Sequence, residues 1–259
     1  MRLLLLIACF MVLLPFEAAE AQRWRYRLDD VKTGPQTPGD EFGFRFVRVK
    51  YDGVSYRRPA WATDYPTAEQ NLYEAIRRTT RLHLEGPPIV LELTDERIFE
   101  YPFLYLTEPG YWETNDEEVE MMKKYFARGG FMLIDDFHDY TDPNQKGPEW
   151  ENMYQNIKRV FPDREPVELG PDHPVWSIYY DIDPVAAISM KAETGEVPWL
   201  DPDSDRYYGI FDDDGRMMCL ISYNQDMGDG WEWPGRNLQQ ASTVSFQMAI
   251  NIIMYALTH

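Results

Sequence analysis

Ala127-Arg128-Gly129-Gly130-Phe131-Met132-Leu133-Ile134-Asp135-Asp136-Phe137-His138-Asp139 joins the end of a helix to a buried strand and then to a cluster of acids. The paired glycines stop the helix, because glycine takes the left-handed backbone that closes one. The four apolar residues Phe131–Ile134 are too few for a helix and enough for a strand buried on both faces. Three acids and a histidine follow at once. In an open α/β sheet, ligands bind at the carboxyl ends of the strands, so Asp135, Asp136, His138 and Asp139 mark the candidate site.

The same alternation runs outward from this stretch. Upstream, Phe42, Phe44 and Phe46 followed by Val47 and Val49 predict a first strand. Thr67-Ala68-Glu69-Gln70 has the form of a capping box, with Leu72, Ile76 and Thr79 on one face of its helix. Pro88–Leu93 and Phe103–Leu106 read as strands. Thr114-Asn115-Asp116-Glu117 opens the helix that ends at Gly129-Gly130. Downstream, Trp150, Met153, Tyr154, Ile157 and Val160 mark a helix stopped by Pro162. Tyr207–Phe211 and Met217–Tyr223 flank a tight acidic turn, and Ser245 to Ala256 carry the spacing of a C-terminal helix. Strand–helix alternation through about residue 160 predicts an α/β fold, a three-layer sandwich with a mostly parallel sheet, in one domain over residues 41–259.

The first 21 residues have the layout of a signal peptide: Met1-Arg2, an apolar run from Leu3 to Leu14, and Ala19-Glu20-Ala21 as a cleavage site. Leu6-Ile7-Ala8-Cys9 has the form of a lipoprotein box, but the apolar run continues well past Cys9, which favours cleavage after Ala21. An exported chain follows, periplasmic or secreted, with a polar arm over residues 22–40. Cleavage removes Cys9 and leaves Cys219 alone, so the fold is expected to rest on its core rather than on a disulfide. The 259-residue chain carries a formal charge of −19. Residues 1–21 hold Arg2 against Glu17 and Glu20, a net −1, so −18 remains after cleavage. That charge repels nucleic acid and anionic lipid. No apolar run after residue 22 reads as a membrane span.

The candidate chemistry is carboxylate-rich. Asp135, Asp136, His138 and Asp139 could ligate a divalent cation or act as acid and base. Oxygen-rich sites favour calcium, magnesium or manganese. Against this stands the plain alternative that one acid caps the next helix. Asn224, Asp226, Asp229, Trp231 and Glu232 follow another strand, and would share the rim if that strand lies beside Phe131–Ile134. Trp231 and Trp233 could stack there on a sugar or a partner side chain. Trp61, Asp64 and Tyr65 precede a helix start, where Asp64 either orients a ligand or organises the turn. Asp201, Asp203, Asp205 and Asp212 imitate a calcium loop but lack its glycine, with Arg206 in that place. There is no Gly-x-Ser-x-Gly elbow and no His-Glu-x-x-His.

Six stretches together resemble a bacterial family of unknown function, DUF4159. They are residues 44–51 (Phe44 to Tyr51), 61–66 (Trp61 to Pro66), 101–106 (Tyr101 to Leu106), 129–136 (Gly129 to Asp136), 223–232 (Tyr223 to Glu232) and 255–259 (Tyr255 to His259). The resemblance covers roughly residues 42–259 and implies a flavodoxin-like, class I glutamine amidotransferase-like fold. Active amidotransferases carry a Gly-x-Cys-x-Gly turn after a central strand. This chain has no such turn, and if Phe131–Ile134 is that strand, Asp135 and Asp136 stand in the nucleophile's place. The expectation is an exported, non-catalytic binding or assembly module of the cell envelope, with an envelope protein or glycan as partner. The alternative is a metal-assisted or carboxylate-based envelope hydrolase acting on glycan or peptide, with Asp136 and His138 as the catalytic acid–base pair and Asp226 and Glu232 as ligands or partners.

Overall fold

The computed structural model of the protein describes residues 43–55, 57–139, 146–184, 206–236 and 239–259. The expected signal peptide, the arm and the run Asp201–Asp205 lie outside these residues. The strands are β1 (Val47–Lys50), β2 (Val54–Ser55), β3 (Arg58–Pro59), β4 (Ile89–Glu92), β5 (Phe103–Thr107), β6 (Phe131–Asp135), β7 (Val167–Glu168), β8 (Arg206–Phe211) and β9 (Met217–Tyr223). The helices are α1 (Thr67–Thr79), α2 (Asp116–Ala127), α3 (Pro148–Val160), α4 (Met227–Glu232) and α5 (Gln239–Thr258).

Seven strands form one sheet in the order β4-β1-β5-β6-β9-β8-β7, and β2 pairs with β3 in a small ribbon. The pairs from β4 through β9 are parallel, while β8 and β7 continue the sheet antiparallel. Taken in chain order, the five parallel strands lie 2-1-3-4-5, a doubly wound arrangement whose order reverses between β1 and β5. Of the parallel strands, β5, β6 and β9 read as near-continuous apolar runs because helices cover both faces, while β1 carries the buried Arg48. Phe103 and Tyr105 of β5, with Phe131 and Leu133 of β6, enter the core formed with α1 and α5. Leu104, Leu106, Met132 and Ile134 alternate with them and are as fully buried. On the layer of α1, α4 and α5 these helices pack against one another, and α2 packs against α3. The sandwich therefore has three layers.

Local chemistry departs from the expected pattern in two places. Thr67 is the first helical residue of α1 and Pro66 its cap, with no side-chain cap bond. The expected box of Thr67 with Gln70 does not form, and Glu69 between them turns inward to the buried Arg48. At α2 the box forms one residue later, with Asn115 accepting from the Glu118 amide at 3.0 Å and Glu118 accepting from the Asn115 amide at 2.9 Å. The acidic turn is the expected hairpin. Asp212 accepts from the amides of Asp214 and Arg216, and Gly215 takes φ 82°. Against expectation, Ala241–Thr258 is long and apolar enough by length and composition to cross a membrane. However, 56% of that stretch is buried inside the domain, as in the core helix of a three-layer fold.

Candidate functional site

Three adjacent central strands end in the same way. Thr107 closes β5, Asp135 closes β6 and Tyr223 closes β9. The next residue in each case, Glu108, Asp136 or Asn224, has a positive φ of 52°, 73° or 54°. Asp64, beside the same rim, has φ 61°. A left-handed backbone costs a non-glycine residue about 1–2 kcal/mol, least for Asn and Asp. Such strain persists where surrounding structure over-determines it, and it clusters at functional sites. Here it turns each chain sharply off its strand and brings the polar side chains together at the reversal of strand order.

Some of these groups hold the rim in place. Asp135 is fully buried, and its Oδ2 accepts from the Tyr105 hydroxyl at 3.0 Å and from the amides of Met227 and Gly228 at 3.0 and 3.2 Å. It therefore anchors the start of α4. Burial foremost, then the charge of Asp226, pushes its pKa up to about 7. Asp139 caps α3: Glu149 N donates to Oδ1 at 3.0 Å, and Trp150 N and the Tyr223 hydroxyl donate to Oδ2 at 2.9 and 3.2 Å. Asn224 exchanges two 3.0 Å bonds with the Asp139 main chain. Both oxygens of Asp139 thus serve helix capping, the plain alternative to ligand binding.

Other groups face the rim's centre. Asp136 Oδ2 accepts from the Thr107 hydroxyl at 3.1 Å, whereas its buried Oδ1 has no hydrogen-bond partner among the described residues and lies 3.4 Å from His138 Nδ1. His138 is about one-third exposed, and its Nε2 lies 4.0 Å from Asp226 Oδ2. Asp226 caps α4 through Oδ1, which accepts from Asp229 N at 2.8 Å. Asp136, His138 and Asp226 each offer one donor atom within 4.8 Å of the others, and Asp64, Asp229 and Glu232 form a second such group. Burial foremost, then Asp226, raises the Asp136 pKa well above the usual carboxylate range. Burial and Asp226 do the same to Asp64. Glu108 accepts from Thr63 Oγ1 at 3.2 Å, and burial followed by Glu149 pushes its pKa up to about 7. Beneath them Arg48 donates to Trp61 O and Thr63 O at 3.0 and 2.8 Å, with its guanidinium 4.9 Å from the Tyr105 ring centre.

One expectation is corrected. Trp231 is fully buried, donates through Nε1 to Ser245 O at 3.1 Å, and packs on Tyr105 with ring centres 5.5 Å apart. It belongs to the core and offers no stacking surface. Trp233 is exposed, and Arg236 covers its ring at 4.6 Å. Cys219 is buried in the middle of β9, away from the rim, and burial pushes its thiol far up. His173 and His259 sit against Tyr255, whose hydroxyl meets Met217 N at the opposite end of β9. A cavity of about 460 Å³ between α1 and α5, lined by Asn71, Arg78, Phe246 and Ile250, includes none of the rim carboxylates. Glu108, Thr107, Arg48 and Tyr105 were not among the sequence candidates. Glu108 carried the same signal as Asp136, an acid immediately after a buried strand.

No curated protein matches the chain. A family described as a domain of unknown function (DUF4159) matches it over residues 45–257, the whole parallel sheet and its rim, and the chain belongs to that family.

Proposed function

We propose that the protein is an exported binding or assembly module of the cell envelope, built on a flavodoxin-type, amidotransferase-like fold from which thiol catalysis has been lost. The 2-1-3-4-5 order of the parallel strands supports the fold relationship. On that relationship Asp135 and Asp136 would stand in the place of the nucleophile, and Asp136 lies on a left-handed turn after the central strand. Cys219 lies inside the sheet with a raised pKa, which removes the thiolate that such chemistry needs. The observation that carries the reading is the gathering of Asp64, Glu108, Asp136 and Asp226 around one point of the rim, where a positively charged ligand group would relieve their mutual repulsion. The export signal at residues 1–21 supports the envelope setting.

The test has two parts. Fractionation of cells producing the full chain should find it outside the cytoplasm and shortened by residues 1–21. Asp64→Asn should then weaken retention of the envelope protein or glycan that the wild type holds, with no turnover by either. A chain that stays in the cytoplasm would overturn the envelope reading.

The Asp136–His138 contact favours a second reading, a carboxylate-based hydrolase of envelope glycan or peptide. There the half-open imidazole would carry protons between Asp136 and solvent. Hydrolysis lost in Asp136→Asn with no fall in melting temperature would establish it in place of the first.

A further inference from the structure

We infer that Asp136, His138 and Asp226 form a three-ligand site for a first-row transition-metal dication of the zinc or manganese type. This rests on the rim being a ligand site and names what it takes. Each of the two aspartates is held by a bond to one carboxylate oxygen. Asp136 gives Oδ2 to the Thr107 hydroxyl and its amide to Gln225 O at 3.1 Å, which leaves Oδ1. Asp226 gives Oδ1 to the Asp229 amide, which leaves Oδ2. His138 is fixed through its main chain, where its amide donates to Glu149 Oε2 at 2.6 Å. The three side chains then converge, with one donor atom of each within 4.8 Å of the others.

The second observation is Asp136 Oδ1 itself. The side chain is 0% exposed and that oxygen has no hydrogen-bond partner among the described residues, although it points at the imidazole. A carboxylate oxygen stripped of water and left without a hydrogen bond is costly to bury, and a cation supplies the missing interaction. Thr107 beneath it would act as an outer partner, orienting the ligand oxygen. The donor set selects the ion. Calcium takes six to eight oxygens, whereas imidazole suits zinc, nickel and iron, and carboxylate admits manganese. Three protein ligands leave coordination positions open, as in sites where a metal meets a water or an exogenous ligand. The arrangement that competes is a protonated His138 bridging two aspartates without metal.

Equilibrium dialysis and calorimetry on the stripped full-length protein, with zinc, manganese, magnesium and calcium chlorides as probes, separate the two. One zinc or manganese ion should bind per chain and survive about 0.5 M NaCl, which screens diffuse attraction to the acidic surface. His138→Ala, at a partly exposed position that does not threaten the core, should weaken binding about tenfold or more, as should Asp226→Asn. Glu74→Gln, on the exposed face of α1, should leave binding unchanged. Cobalt(II) should give visible d–d absorption that changes on His138→Ala. Binding indifferent to His138→Ala, equal for all four ions, or erased by salt would overturn the site. If metal binding fails while Asp64→Asn still abolishes retention of the envelope ligand, the rim stands as a binding site and only the ion is lost.

Discussion

Asp136 sits at φ 73° with one carboxylate oxygen satisfied and the other facing His138, so its negative charge is opposed by burial, by Asp226 and by Glu108 together. Removing that charge should stabilise the metal-free protein. Asp136→Asn keeps the Thr107 contact and tolerates the left-handed turn. It is expected to melt roughly 2–6 °C above wild type at pH 8 in chelator, a gain of about 1–2 kcal/mol in a domain of this size. A lower melting temperature would show that the ionised carboxylate is what the turn requires. Glu108 carries one part of the pH dependence, beside the buried Asp135 whose pKa is also pushed up to about 7. The ordinary Glu108 pKa of 4.5 is pushed up to about 7 by burial and by Glu149. The folded form therefore holds the proton that the unfolded chain releases, and this stability is complete below pH 4.5 and lost as pH rises through 7. Thermal melts of the stripped protein should fall between pH 5 and pH 8, on the order of 1–3 kcal/mol from this residue, and Glu108→Gln should flatten that fall. A profile identical in the variant would remove Glu108 from the account.

Each rim element is tied down by a carboxylate at its end, so capping and site geometry share residues. Asp139 holds the start of α3 by two bonds and accepts a third from Tyr223 at the end of β9, and a side chain at Gly147 would lie 2.3 Å from its carboxylate. Asp139→Ala should cost about 1–3 kcal/mol, seen as a lower denaturant midpoint with an unchanged slope. It should spare metal binding, because Asp139 points into α3 rather than at Asp136. Gly228 plays the matching part in α4, where an added Cβ would stand 2.6 Å from Asp64 Oδ2 and 3.0 Å from the Tyr105 hydroxyl. Much of this was legible in the sequence. The run Gly129-Gly130-Phe131-Met132-Leu133-Ile134-Asp135-Asp136 announced a helix stop, a buried strand and a strand-end acid, and all three stand where they were read. Capping was less legible. Asp, Asn and Glu serve caps and ligand sites by the same hydrogen-bonding groups, so Asp139 and Asp136 look alike in one dimension and separate only when their partners are known. Thr67 misled for the same reason: its spacing from Gln70 fits a capping box, but Pro66 takes the cap position and Glu69 between them is turned to a buried arginine twenty-one positions upstream.

The whole molecule places an acidic rim over an almost wholly apolar sheet, and the two are coupled through the layer of α4. Trp231 makes that coupling visible. A tryptophan within an acidic, glycine-rich turn reads locally as an exposed stacking platform, because sequence shows the turn and not the helix that closes over it. Here α5 and α1 enclose the ring, which meets Phe46 and Tyr105 with centres 6.5 and 5.5 Å away, while Asp226 and Asp229 on the same short helix face the rim. The strength of the core therefore decides whether the donors keep their positions. Trp231→Ala removes a fully buried ring and is expected to destabilise the domain by about 3–5 kcal/mol, a fall in melting temperature of roughly 6–20 °C. Trp231→Phe keeps most of the volume and loses the bond to Ser245 O, and should lie between the two. If Trp231 acted by contacting a ligand, alanine would weaken binding and leave the melt unchanged. If it acts by holding α4, metal or ligand affinity measured well below the melting temperature should follow stability across the three proteins, wild type above phenylalanine above alanine. Stabilising the alanine variant with an osmolyte should then recover part of the lost affinity. Affinity that fails to follow stability would uncouple the rim from the core beneath it.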